Sequence, residues 1–400
     1  MSESSRVRTG SFIRIGLVLS VLMLVVGSIQ FARYDWTGLP LQRAAASSDR
    51  VVSDDCLEEI RPYVTESGRT ISPTVIDEQQ YLSMIESYRG VPAEDAQVEC
   101  FYSPFTGRVG TPWLASLLPV EEGLALGLVN TAFMLLGLWV VLATLRILRH
   151  DARTILAVGF LYAVGWNTLA FGTTLLVEPA PLAISALVWL ALVCRRSWWA
   201  VPLVVVGLLF KETTAVLLVV LWADAVFGLE DFVGGDGSAG RDGAAEGRRG
   251  VRLFAPAAVA TVAAGAVITT TSRLGPEVAA GWPAELSAAT LAANLDPVGI
   301  FVLALGLGPL LAPSVLWWWS RRGEVGMLRA TADPATIGVL CGLALLGWSA
   351  LTADLSPRHF WLCFPFAATL TARWLLTGRA RERLLGVRVP LWLAGRDPAP

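Results

Sequence analysis

SWWAVPLVVVGLLFKETTAVLLVVLWADAVFG, residues 197–228, is an apolar run of 32 residues interrupted by Lys211 and Glu212. A helix crossing a hydrocarbon core of about 30 Å needs about 20 residues, so the run is long for one crossing. One tilted helix would hold both charges in mid-bilayer and carry Arg248 and Arg249 to the outer side. Two short spans, about 198–210 and 213–228, would instead fold as a hairpin with Lys211 and Glu212 at the outer surface. Charges are costly at mid-membrane and cytoplasmic loops are enriched in Arg, so the hairpin is preferred.

The rest of the chain is laid out around that hairpin. Of its 400 residues 54% are hydrophobic and 16% are charged, against about 25% charged in soluble domains. Its mean hydropathy is +0.58. These values predict an all-α polytopic membrane protein rather than a string of soluble domains. Residues 1–11 form a cytoplasmic N-terminus with Arg6 and Arg8, and 12–32 form the first span, an uncleaved anchor. A polar stretch, 33–121, follows as a large, partly helical extracytoplasmic loop.

Spans two to six fill 122–228, with the second near 122–145, the third near 154–175 and the fourth near 180–194. Residues 229–252, rich in Gly, Asp and Arg, read as a flexible cytoplasmic loop. Spans seven to ten fill 253–377, and 378–400 is a cytoplasmic tail. Its segment 380–394 reads either as an amphipathic surface element or as a frayed end. About ten transmembrane helices with both termini cytoplasmic put every Arg pair between spans on the inner side.

This topology gathers Asp77, Glu78, Arg108, Glu178, Lys211, Glu212, Asp354, Arg358 and His359 on the outer face. Each has a plain alternative. Ile76, Tyr81, Met84, Ile85 and Tyr88 recur at helical spacing, so Asp77 and Glu78 can simply favour the first turn of a helix over 76–88. Arg108 lies between Gly107 and Gly110 and reads as part of a tight turn. Glu178–Pro179 suits a helix start. Lys211 and Glu212 can neutralise each other, and Arg358–His359 can anchor the interface beside Phe360 and Trp361. Together they offer carboxylates to take a proton and cations to hold a phosphate.

Cys56 and Cys100 both fall in the outer loop, where a disulfide can close it. Cys194, Cys341 and Cys363 read as small apolar residues. Nothing suggests a nucleic-acid motif, a zinc spacing, a glycine-rich phosphate loop or a Ser/His/Asp order.

DEQ at 77–79 followed by Tyr81, PFTGRVGTPWLASLLP at 104–119, LFKETTAVLL at 209–218 and RHFWLCFPF at 358–366 occur in that order. Their order and topology resemble the C-type superfamily of polytopic membrane glycosyltransferases. The resemblance implies inverting transfer of a sugar from a polyprenyl-phosphate donor to a hydroxyl of a glycan, glycolipid or protein acceptor. It implies Asp77 as general base, with Glu78 supporting it, and Arg108, Lys211 and Arg358 facing the phosphate. A divalent metal can serve the same end. The competing expectations are a transporter or flippase for a lipid-linked or anionic substrate and a non-catalytic membrane assembly protein. The first of these calls for charged or broken segments at the midplane, and the spans carry few charges there.

Overall fold

The computed structural model of the chain describes residues 7, 9–34, 50–53, 56–58, 62–65, 67–73, 75–92, 97, 101–172, 174–227, 243–271, 276, 280–281, 286–352 and 356–376. Cys100, Asp354, the side chain of Cys56 and the tail beyond 376 lie outside this set, and with them the disulfide and amphipathic-tail expectations.

The architecture is helical. α1 (Thr9–Tyr34) leads into a loop holding short antiparallel strand pairs, β1 (Arg50–Ser53) with β2 (Cys56–Glu58) and β3 (Tyr63–Val64) with β4 (Thr70–Ile71). α2 (Ile76–Tyr88), β5 (Tyr102–Ser103) and α3 (Gly110–Ser116) complete that loop. Among the described residues five helices are long and apolar enough to cross a membrane: Thr9–Ala32 within α1, α4 (Glu122–Ile147), Phe254–Thr271 within α9 (Gly243–Thr271), Gly299–Val325 within α11 (Pro297–Val325) and α13 (Pro334–Thr352). α6 (Pro179–Val193) and α7 (Ser197–Phe210) are apolar but shorter. At 1.5 Å per residue, the 15 residues of α6 reach only about 22 Å.

α4 runs antiparallel to α1. Arg146 Nη2, near its end, donates to Thr9 Oγ1 at 2.8 Å, and Trp139 Nε1 donates to Ser20 Oγ at 3.1 Å. α7 and α8 (Val216–Phe227) fold back on each other through a 3₁₀ turn over Glu212–Ala215. Ser197 Oγ at the start of α7 donates to Asp224 Oδ2 near the end of α8 at 3.4 Å, a contact that one continuous helix would forbid. Gly207 permits the close approach at the turn, since a Cβ there would lie 2.4 Å from Thr214 Cγ2. Gly207→Ala is therefore expected to cost about 1–3 kcal/mol by overpacking. Thermal unfolding in detergent measures it, and an unchanged melting temperature would contradict this packing.

Two segments differ from the sequence expectation. The third apolar run is not one helix: α5 (Ala152–Val164) ends at Gly165, a π-helical turn covers Thr168–Gly172, and 174–177 are irregular. Buried irregular backbone needs hydrogen-bond partners. Asn130 of α4 supplies them, its Nδ2 donating to the Thr174 carbonyl at 2.9 Å and the Leu176 carbonyl at 2.5 Å. A hydropathy window cannot see that support, because Asn130 is 44 residues upstream of Thr174. Part of the expected flexible loop, 243–252, belongs to α9. Its Ala, Glu and Arg residues are good helix formers and extend the apolar helix behind them.

The last helices are α10 (Ala288–Asn294), α12 (Met327–Ala332), α14 (Arg358–Trp361) and α15 (Phe364–Leu376). α15 sits in the bundle core. Trp189 Nε1 donates to Thr369 Oγ1 at 2.8 Å, and Ser314 Oγ donates to the Ala367 carbonyl at 3.2 Å. β6 (Ala280–Gly281) pairs in parallel with β5 and ties the first loop to the segment after α9.

Candidate active site

Five separate parts of the chain end at one place. α2 brings Asp77 and Tyr81, the turn before α3 brings Arg108, and the break after α5 delivers Glu178 at the start of α6. The α7–α8 turn brings Lys211 and Glu212, and α14 brings Arg358 and His359.

Asp77 and Tyr81 share a helical ridge because they are four residues apart. α2 is held in place by Arg89 just beyond its end. Arg89 Nη1 pairs with the buried Glu122 Oε1 at 2.8 Å, and Nη2 donates to the carbonyls of Leu118 at 2.9 Å and Val120 at 2.6 Å. That clamp fixes the carboxylate-bearing helix to the start of α4. Pro179 in the first turn of α6 likewise fixes the chain direction after Glu178.

The polar contacts form two adjoining sets. Arg358 Nη1 donates to Asp77 Oδ2 at 2.9 Å and lies 3.9 Å from Glu178 Oε1. Lys211 Nζ donates to the same Glu178 oxygen at 2.6 Å. Arg108 grips Glu212 through two parallel bonds, Nε to Oε2 at 2.9 Å and Nη2 to Oε1 at 2.6 Å. Its Nη1 donates to the Tyr81 hydroxyl at 2.8 Å, and its guanidinium stacks 5.1 Å from the Phe105 ring centre. Asp77 thus meets Arg358 directly and Lys211 through Arg358 and Glu178, while Arg108 holds Tyr81, one turn along α2 from Asp77. Glu78 is fully buried in α2, one residue around the helix from Asp77.

The pairing differs from the simplest sequence expectation. Lys211 and Glu212 do not neutralise each other: Lys211 pairs with Glu178, and Glu212 with Arg108. Tyr81 is the residue that sequence reasoning passed over as a site member, and its signal was the spacing of four from Asp77.

Burial sets the electrostatics. Asp77, Arg108, Glu178 and Lys211 side chains are 9%, 9%, 5% and 7% exposed, while Arg358 and Glu212 reach 20% and 41%. The site is therefore closed around Glu178–Lys211 and opens at Glu212. Burial pushes the Glu178 carboxyl up, but Lys211, Arg358 and Arg108 outweigh it and hold it at about 2. Burial, helped by Arg358 and Lys211, keeps the His359 imidazole neutral well below its ordinary range. Burial also keeps the Tyr81 hydroxyl protonated.

Three carboxylates face three cations, so the cluster is neutral. Buried polar atoms usually find partners, and exceptions mark sites of function. Glu178 Oε2, Arg358 Nε, His359 Nε2, Thr214 Oγ1 and Trp361 Nε1 are buried without a hydrogen-bond partner among the described residues. The cavity beside Trp361, lined also by Trp166, Asn167, Gly306 and Phe364, has a volume of about 30 Å³. That is room for about one water, so it does not hold a sugar.

Among the described residues no group of three or more His, Cys, Asp or Glu side chains is placed to hold a metal ion. Arg358 and Lys211 also sit between the carboxylates, and this interleaving does not fit a divalent cation.

No protein-family model matches the chain, and no curated protein matches it in sequence.

Proposed function

We propose that the cluster is the active site of a membrane glycosyltransferase that takes its sugar from a polyprenyl-phosphate carrier. The observation that carries this reading is the meeting of Asp77, Arg108, Glu178, Lys211, Glu212 and Arg358, drawn from distant parts of the sequence, at one largely buried and charge-balanced site. The ordered motifs that resemble the C-type superfamily supply the chemistry. In the proposed step the bond between the anomeric carbon and the phosphate oxygen breaks while an acceptor oxygen bonds that carbon from the opposite face. The acceptor proton passes to Asp77, and the carrier leaves as a phosphate whose added charge Arg108, Lys211 and Arg358 stabilise. Glu78 supports the acceptor side and the neutral His359 offers a hydrogen bond. A glycan, glycolipid or protein bearing a hydroxyl is the acceptor.

Removing the chain from its host tests this. The expected result is loss of a sugar from a surface glycan or glycolipid, with its carrier-linked donor accumulating. Unchanged glycans and unchanged lipid-linked sugars would remove the enzyme reading. One observation favours a second reading, a non-catalytic assembly protein. Every charge in the cluster already has an opposite partner, as a purely structural lock would require.

We further propose that the site faces the extracytoplasmic side of the cell membrane with both termini inside, a reading supported by the Arg excess at the opposite helix ends. Cys194, exposed at the end of α6, marks that opposite end. In a chain keeping only Cys194, a membrane-impermeant maleimide is expected to react from the cytoplasmic side. Ser67→Cys, in the first loop, is expected to react from outside. Labelling of both from one side would break the topology.

A further inference from the structure

Glu212 differs from the other two carboxylates of the cluster in ways that bear on how an anion enters. It is the most exposed, at 41% against 9% for Asp77 and 5% for Glu178. It stands on a short 3₁₀ turn, after Lys211 in extended backbone with φ −164° and ψ 132°. Arg108, by contrast, is anchored: its third donor goes to Tyr81, it packs on Phe105, and its side chain is 9% exposed. The two-pronged grip of Arg108 on Glu212 is the geometry with which a guanidinium holds a phosphate.

Charge balance adds a second constraint. The cluster is neutral with Glu212 in place. A phosphate brought into it would leave the buried side with excess negative charge unless a carboxylate moves out. Asp77 and Glu178 would have to leave their cations while still buried. Glu212 alone can rotate into water and be hydrated.

We propose that Glu212 is an internal anion that competes with a phosphate-bearing ligand for Arg108 and is displaced when that ligand binds. The proposal rests on the phosphate-binding reading of the site and adds what opposes binding. It gives Glu212 a sign opposite to that of a simple binding residue: weakening its hold on Arg108 strengthens binding.

Purified full-length protein in detergent is titrated with radiolabelled farnesyl phosphate, with farnesol and inorganic phosphate as parallel arms. Preference for farnesyl phosphate over both identifies an amphiphile's phosphate, and equal binding of inorganic phosphate identifies a free anion. Glu212→Gln is expected to tighten phosphate binding about tenfold, the scale of one charge-assisted hydrogen bond. Glu212→Asp keeps the charge but is one methylene too short for the two-pronged grip, so it is expected to tighten binding about threefold. The aspartate variant separates displacement from a change in the overall field, which would leave its affinity unaltered. It also serves if the glutamine variant fails to fold. Wild-type binding with unchanged or weaker binding in the folded aspartate variant overturns the displacement, whatever the glutamine variant does, and leaves the phosphate site standing. No binding of either phosphate by wild type or variants overturns both.

Discussion

Replacing Lys211 with methionine is expected to destabilise the folded chain by about 3–5 kcal/mol, the usual cost of stranding one half of a buried ion pair. Lys211 Nζ lies 2.6 Å from Glu178 Oε1 and both side chains are under a tenth exposed. The nearest other cation, Arg358, is 3.9 Å from that oxygen and is already bonded to Asp77. Glu178 Oε2 has no hydrogen-bond partner among the described residues. Without Lys211 the carboxylate stays buried with little to hold it.

The pH dependence follows with a definite sign. In the native chain Glu178 is held at about 2, below its ordinary 4.5. Its pairing therefore contributes stability that is complete above 4.5 and is lost as pH falls toward about 2. In Lys211→Met, burial acts with its chief opponent removed, so the carboxyl moves up. Protonation then relieves the stranded charge, and the deficit is expected to be smaller at pH 5 than at pH 8. Thermal unfolding in detergent at both values reads this out. The double variant Lys211→Met, Glu178→Gln is expected to recover much of the loss, since both halves of the pair are then neutral. Equal melting temperatures for Lys211→Met and wild type would show that the pair holds nothing together.

The second large effect is chemical. Asp77→Asn keeps the shape of the side chain and an oxygen for Arg358 but removes the base. If Asp77 takes the acceptor proton, transfer is expected to fall by about 10²–10⁴, the range general-base catalysis supplies. The protein is expected to remain folded, because Glu178 and Lys211 still close the buried end of the site. A purely structural role gives the opposite pattern: a lowered melting temperature with transfer intact.

Much of this arrangement could be read from local pattern. The helix over 76–88 follows from Ile76, Tyr81, Met84, Ile85 and Tyr88, and α2 has those bounds. The return of the chain at Lys211–Glu212 follows from length and charge, and the Ser197–Asp224 contact places the two ends together. What pattern could not supply is partnership. Arg108 and Glu212 are 104 residues apart, and Asp77 and Arg358 are 281 apart. No periodicity relates such positions, so the sequence offers Lys211 its neighbour Glu212 and not the Glu178 with which it pairs. The break after Val164 was equally hidden, because what makes it tolerable is the side chain of Asn130 on another helix. Yet that break is what turns Glu178 into the cluster.

The most direct test of the central claim is complementation. A host strain lacking the chain receives either wild type or Asp77→Asn, and surface glycans are compared at equal membrane abundance. The expected result is full restoration by wild type and none, or a small fraction, by Asp77→Asn. Equal restoration by both would contradict a catalytic Asp77 and leave the charges of this cluster as a structural lock.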